Sequence, residues 1–145
     1  MTALSIAVFG VCGVLARYFV GIAAEALLPV AFPCATFFVN ILGAFLIGVV
    51  YVLGAKRNFI SSTFRVGITV GFLGGFTTFS TYCLDVVELL EQERYIVAGL
   101  YFGMSPILGL FAAIVGIAAT QKLLVAFELQ DDSQWWKAIA EAEND

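Results

Sequence analysis

The residues best placed to do chemistry lie in one apolar stretch, Gly74-Gly75-Phe76-Thr77-Thr78-Phe79-Ser80-Thr81-Tyr82. Gly67, Gly71 and Gly75 recur every fourth residue, with Gly74 alongside. Such a stripe lets membrane helices pack closely. The hydroxyl residues Thr77, Thr78, Ser80 and Thr81 that follow add a second reading, because glycines and hydroxyls lower the cost of interrupting a helix within the bilayer. An interruption frees main-chain carbonyls, which suit a small hard cation such as Na⁺. Phe76, Phe79 and Tyr82 are spaced by three and can share a helical face. Their ring edges are electropositive and can approach an anion.

Two other stretches offer polar groups in apolar surroundings. Asn40 sits among Phe37, Phe38, Val39, Ile41 and Leu42, where an amide either joins helices or donates to a passing anion. Tyr101, Ser105 and Gly109 are one turn apart, and Ser105-Pro106 permits a local kink; packing explains each singly, while together they form a ladder of donors. Catalysis has no comparable set of residues. The chain has no histidine to act as base or metal ligand. Asp85 and Glu88 read as solvated carboxylates near a helix end, so the protein is expected not to be an enzyme.

The elements that carry these groups follow from hydropathy. Of 145 residues, 61% are hydrophobic and 12% charged, too little polar surface for a soluble domain. Charged residues are absent from 26–55, 66–84 and 95–121, each block long enough to span roughly 30 Å of hydrocarbon. Four helices are predicted, at about Leu4–Leu27, Ala35–Gly54, Phe64–Leu90 and Tyr95–Phe127. Pro29 and Pro33 punctuate the first connection, Lys56-Arg57-Asn58 opens the second, and Glu91-Gln92-Glu93-Arg94 forms the third. The first stretch lacks a basic start and a cleavage site, so it reads as a retained helix, with Arg17 facing protein, water or an interface.

The expected organisation is a transmembrane domain over 1–127 and an acidic tail over 128–145. In the tail Asp132-Ser133 caps a short amphipathic helix bearing Trp135, Trp136 and Ile139, suited to the headgroup level. The tail sets most of the net charge of −4. No basic patch supports nucleic-acid binding. Cys12, Cys34 and Cys83 are expected as buried small apolar side chains. Lys56, Arg57, Arg65, Lys122 and Lys137 outweigh Arg94 and Arg17 across the bilayer, which leans both termini toward the cytoplasm.

The third-segment motif, together with Phe38-Val39-Asn40-Ile41-Leu42-Gly43-Ala44-Phe45 and Gly13-Val14-Leu15-Ala16-Arg17-Tyr18, resembles the Fluc fluoride-channel family, also called CrcB. The resemblance runs from about Gly10 to Thr120. It implies an all-α protein of the cell's inner (plasma) membrane: four transmembrane helices, the third broken, paired as an antiparallel dual-topology homodimer. The implied activity is passive, selective export of fluoride, which lowers its cytoplasmic concentration, with a structural Na⁺ at the dimer interface. By position, the carbonyls of Gly74 and Thr77 hold Na⁺. Asn40, Phe79, Thr81, Tyr82, Tyr101 and Ser105 line the fluoride path, and Arg17 lies near a vestibule. Tyr82 stands where the family usually has phenylalanine, and Asp85 where it has glutamate. Equal insertion in both orientations sits awkwardly with the charge bias, so a partner of opposite orientation is the other possibility. A small multidrug or cation transporter depends on a carboxylate deep in its first helix, whereas Glu25 sits near a helix end. A structural subunit is the remaining reading, and it predicts no flux.

Overall fold

A computed structural model describes residues 2–28, 32–56 and 61–142, with side chains described through 54 and again over 61–127. Among the described residues four helical spans are long and apolar enough to cross a bilayer: Thr2–Leu27, Cys34–Gly54, Ser62–Glu91 and Tyr95–Phe127. They correspond to the expected helices, with starts shifted outward by up to two residues. Their short connections make successive spans run antiparallel. Pro29, Arg57 and Asn58, assigned above to connections, lie outside the described residues.

The first span is α1 (Thr2–Leu27) and the second is α2 (Cys34–Lys56). The third is composite. It starts as α3 (Ser62–Val66), whose N-cap Ser61 accepts from the Phe64 amide, and widens into a π-helical segment over Gly67–Leu73. It then returns to one α-turn, α4 (Gly74–Phe76), breaks at Thr77-Thr78, and restarts as α5 (Phe79–Glu91). The glycines therefore remain helical, and the break falls on the threonines after them.

The reason is packing against α1. A Cβ on Gly75 would stand 2.8 Å from Gly10 O, and one on Gly71 2.7 Å from Ile6 O. A Cβ on Gly13 would strike the Phe72 carbonyl. Only small residues permit this approach of backbone to backbone. The same device joins α2 to α6 (Tyr95–Ala142): Gly48 meets the Ala113 carbonyl and Gly116 meets that of Phe45. The stripe thus serves packing, and the threonines beyond it make the break.

The fourth span does not stop near Phe127. Helix α6 runs on to Ala142, through the Asp132-Ser133 pair expected to start a new helix. After Gly116 the sequence holds no glycine or proline, and its Ala, Leu, Lys, Gln and Glu residues favour continuation. The side chains of Trp135, Trp136 and Ile139 lie outside those described. Two further expectations are corrected. Cys12 and Cys83 are exposed on the protomer's apolar surface, and all three cysteines are free. The break also separates Phe76 from Phe79 and Tyr82, so the three do not share a helix; Phe76 stacks on Phe72 at 5.8 Å and 11°.

Candidate functional site

At the break the backbone leaves the helix twice, with Thr77 at φ −82°, ψ 158° and Thr78 at φ −151°, ψ 123°. Extended backbone inside a bilayer must be satisfied by protein. The Thr77 amide and hydroxyl both donate to Leu73 O, each at 2.9 Å. The Thr78 amide donates to Asn40 Oδ1 at 2.8 Å, and Asn40 Nδ2 donates back to Thr78 O at 2.9 Å. Gly43, three residues after Asn40, lies against the Thr77 methyl, so this face of α2 presents an amide and a gap to the break. The Thr78 hydroxyl caps α5 by accepting from the Thr81 amide at 3.3 Å, and lies 3.0 Å from Thr81 Oγ1.

These bonds redirect two amides. In a continuous helix the Thr78 amide would serve Gly74 O and the Thr81 amide would serve Thr77 O. Here Asn40 and the Thr78 side chain take those donors instead. The carbonyls of Gly74 and Thr77 are thereby released, and Gly74 is exposed on the protomer surface. Main-chain oxygens of this kind are the donor set a Na⁺ requires. Among the described residues no group of three Asp, Glu, His or Cys side chains gathers around a common point.

Beside the break lies a cavity of about 230 Å³ lined by Asn40, Thr77, Thr78, Phe79, Tyr82, Ser105, Pro106 and Gly109. It brings together four of the predicted path residues from three spans: Asn40, Phe79, Tyr82 and Ser105. Phe79 is 78% exposed on the protomer. Its ring lies 5.7 Å from that of Tyr82. The Tyr82 hydroxyl donates to Phe102 O on α6 at 2.6 Å.

Tyr101 is elsewhere. It is 1% exposed, packed against Phe32 and Tyr82, and donates its hydroxyl to Asp85 at 3.0 Å. Asp85 is therefore a half-buried, bonded carboxylate, whereas Glu88 is exposed as expected. Asp85 also lines a larger cavity of about 750 Å³, with Arg17, Glu25, Thr36, Thr78 and Thr81 among its walls. Arg17 and Thr81 thus face this wider space. Thr78 borders both cavities. Glu25 lines the larger one too, near the end of α1 and away from the middle of the span.

Sequence reasoning did not single out Gly43, Thr78 or Pro106 for these parts. The spacing of Asn40 and Gly43 on one helical face was the readable signal for the first. For the third the sequence carried only the Ser105-Pro106 kink, and its nearness to Tyr82 comes from the fold.

The family model described as CrcB-like protein, Camphor Resistance (CrcB) matches residues 4–117. A protein of Geobacter sulfurreducens named fluoride-specific ion channel FluC is 43% identical over 122 residues, 84% of this chain and 98% of that one. Proteins of the same name from Geotalea daltonii and Rhizobium etli are 39% and 40% identical, covering 83% and 84% of this chain and 97% and 98% of their own lengths.

Proposed function

The chain belongs to the CrcB family, and from that premise we propose that it forms a passive, fluoride-selective channel as an antiparallel homodimer with Na⁺ at the interface. It is a multi-pass membrane protein. The observation that carries the reading is the broken third span, whose break opens a cavity walled by an amide, hydroxyls and ring edges.

Fluoride is small and holds its water strongly, so a selective path must offer replacement donors at close spacing. Asn40 has a second N–H after donating to Thr78 O, and Ser105 brings a hydroxyl to the same cavity. Phe79 supplies a ring edge without a negative charge. None of these groups binds an anion as tightly as an arginine, so the ion can leave. Arg17 offsets the carboxylates of Glu25 and Asp85 in the wider cavity, which alone would repel an anion.

A partner chain is supported by what the protomer leaves uncovered. Phe79 is largely exposed beside the cavity, and Gly74 is exposed where its carbonyl is free. A second copy laid against this face would cover both. Gly74 and Thr77 would hold the Na⁺ through their main-chain oxygens, and the bound cation supplies fixed positive potential beside the anion path.

Liposomes holding the purified chain, loaded with fluoride or chloride, test the reading directly. Fluoride efflux well above chloride efflux is expected. Release of neither ion would favour a structural subunit, and equal release would remove selectivity.

A further inference from the structure

Pro106 lies in the midst of α6 and has no N–H. The carbonyl four residues before it, Phe102 O, consequently loses its helical donor. Hydrocarbon offers no water to replace it. The oxygen is instead met from another helix, by the Tyr82 hydroxyl at 2.6 Å. A phenol carries one proton, so this hydroxyl has none left for an anion. The ring is held as well, 5.2 Å from Tyr101, and nearly parallel to Phe102 at 13°. A third aromatic neighbour is Phe79, at the smaller cavity.

We infer that Tyr82 is a positioning residue: its phenol substitutes for the amide that Pro106 lacks, ties α5 to α6, and fixes the Phe79–Tyr82 ring pair at the cavity. The functional half of this inference rests on the fluoride-path reading of that cavity, whereas the pairing of Tyr82 with Phe102 O does not. The two halves are linked by charge. Tyr82 and Pro106 both line the cavity, so a Phe102 carbonyl without its phenol would leave an unpaired partial negative charge behind the cavity wall they form. Phenylalanine at 82 would keep the ring and lose this cover. The tyrosine is thus matched to the proline on α6.

The test is a double-mutant cycle on the full chain with Tyr82→Phe, Pro106→Ala and the pair, read by fluoride efflux from liposomes and by thermal unfolding in detergent. Tyr82→Phe should lose about tenfold in efflux, the scale of one unpaired buried carbonyl. In the double variant the alanine brings back an N–H for Phe102 O, and most of that loss should be recovered. Unfolding midpoints should be non-additive in the same sense. Additive midpoints would overturn the pairing. Coupled midpoints with unchanged efflux in Tyr82→Phe would overturn the positioning role. A wild-type chain that passes no fluoride would remove the path reading and the positioning role with it, while the midpoints still decide the pairing. If Tyr82→Phe alone does not fold, a double variant that does fold supports the pairing, and one that does not overturns it.

Discussion

Asn40 faces Thr78 with both ends of its amide, accepting from the Thr78 N–H at 2.8 Å and donating to the Thr78 carbonyl at 2.9 Å. A side chain from the second span thus takes the place of a neighbouring peptide group. It lets the third span leave the helix within the bilayer with the Thr78 amide and carbonyl both paired. The same bond withdraws the Thr78 amide from Gly74 O, so one residue both permits the break and frees a carbonyl.

Substitution at Asn40 should accordingly act on fold and flux together. Asn40→Ala leaves a buried N–H and a buried C=O unpaired, at about 1–3 kcal/mol each. Asn40→Asp places a carboxylate oxygen against the Thr78 carbonyl and a negative charge beside the anion path. Fluoride efflux should be lost in both, and the unfolding midpoint should fall. Unchanged efflux in Asn40→Asp would place the anion path elsewhere.

Gly43 tests the gap beside that amide. A Cβ there would meet the Thr77 methyl, and overpacking of this kind costs about 1–3 kcal/mol. Gly43→Ala should push the break away from α2 and lengthen the Asn40–Thr78 bonds. A midpoint unchanged from the parent, measured in the same detergent, would show that the helices have room to spare.

Phe79 separates path from core. Its side chain is 78% exposed on the protomer, so Phe79→Ile should change protomer stability by less than about 1 kcal/mol. Fluoride efflux should nevertheless be abolished, because isoleucine has no electropositive ring edge. Size-exclusion chromatography should return the parent's oligomeric state. Efflux equal to the parent's would remove Phe79 from the path.

The spans themselves were legible from uncharged apolar blocks, because crossing hydrocarbon constrains composition over about twenty residues at a time. The existence of a break was legible too, from Gly74-Gly75 followed by hydroxyl residues. Its position was not. Thr77 and Thr78 leave the helix because Asn40, thirty-eight positions away, pairs with Thr78, and local propensity carries no trace of that partner. Asp85 read as solvated for the same reason: its partner Tyr101 lies on another span. The π-helical segment at Gly67–Leu73 lies in close contact with α1, a neighbour that its local sequence does not name.

The turn between α5 and α6 carries a different cost. Glu93 stands at φ 58°, where L side chains crowd the backbone, and it closes the end of α5 with its amide on Leu90 O and that of Arg94 on Leu89 O. Glycine adopts this conformation freely. Glu93→Gly should therefore stabilise the chain by roughly 0.5–1 kcal/mol, raising the unfolding midpoint with efflux unaltered. A lower midpoint would mean that the Glu93 side chain contributes more than its backbone costs.

The proposed cation site makes the last prediction, and the redirected amides give it a specific handle. Exchanging Na⁺ for a large organic cation on both sides of the membrane should weaken fluoride efflux, and full indifference would argue against a site at Gly74 and Thr77. Thr78→Val sharpens the test. It removes the hydroxyl that accepts the Thr81 amide at 3.3 Å, leaving that N–H free to turn back to Thr77 O. A carbonyl that accepts a hydrogen bond is a poorer ligand, so half-maximal activation should need about tenfold more Na⁺, equivalent to about 1.4 kcal/mol. High Na⁺ should restore most of the efflux. Loss that no concentration of Na⁺ repairs would assign Thr78 to the anion path it borders, and a parent-like Na⁺ dependence would show that its hydroxyl does not keep the Thr77 carbonyl free.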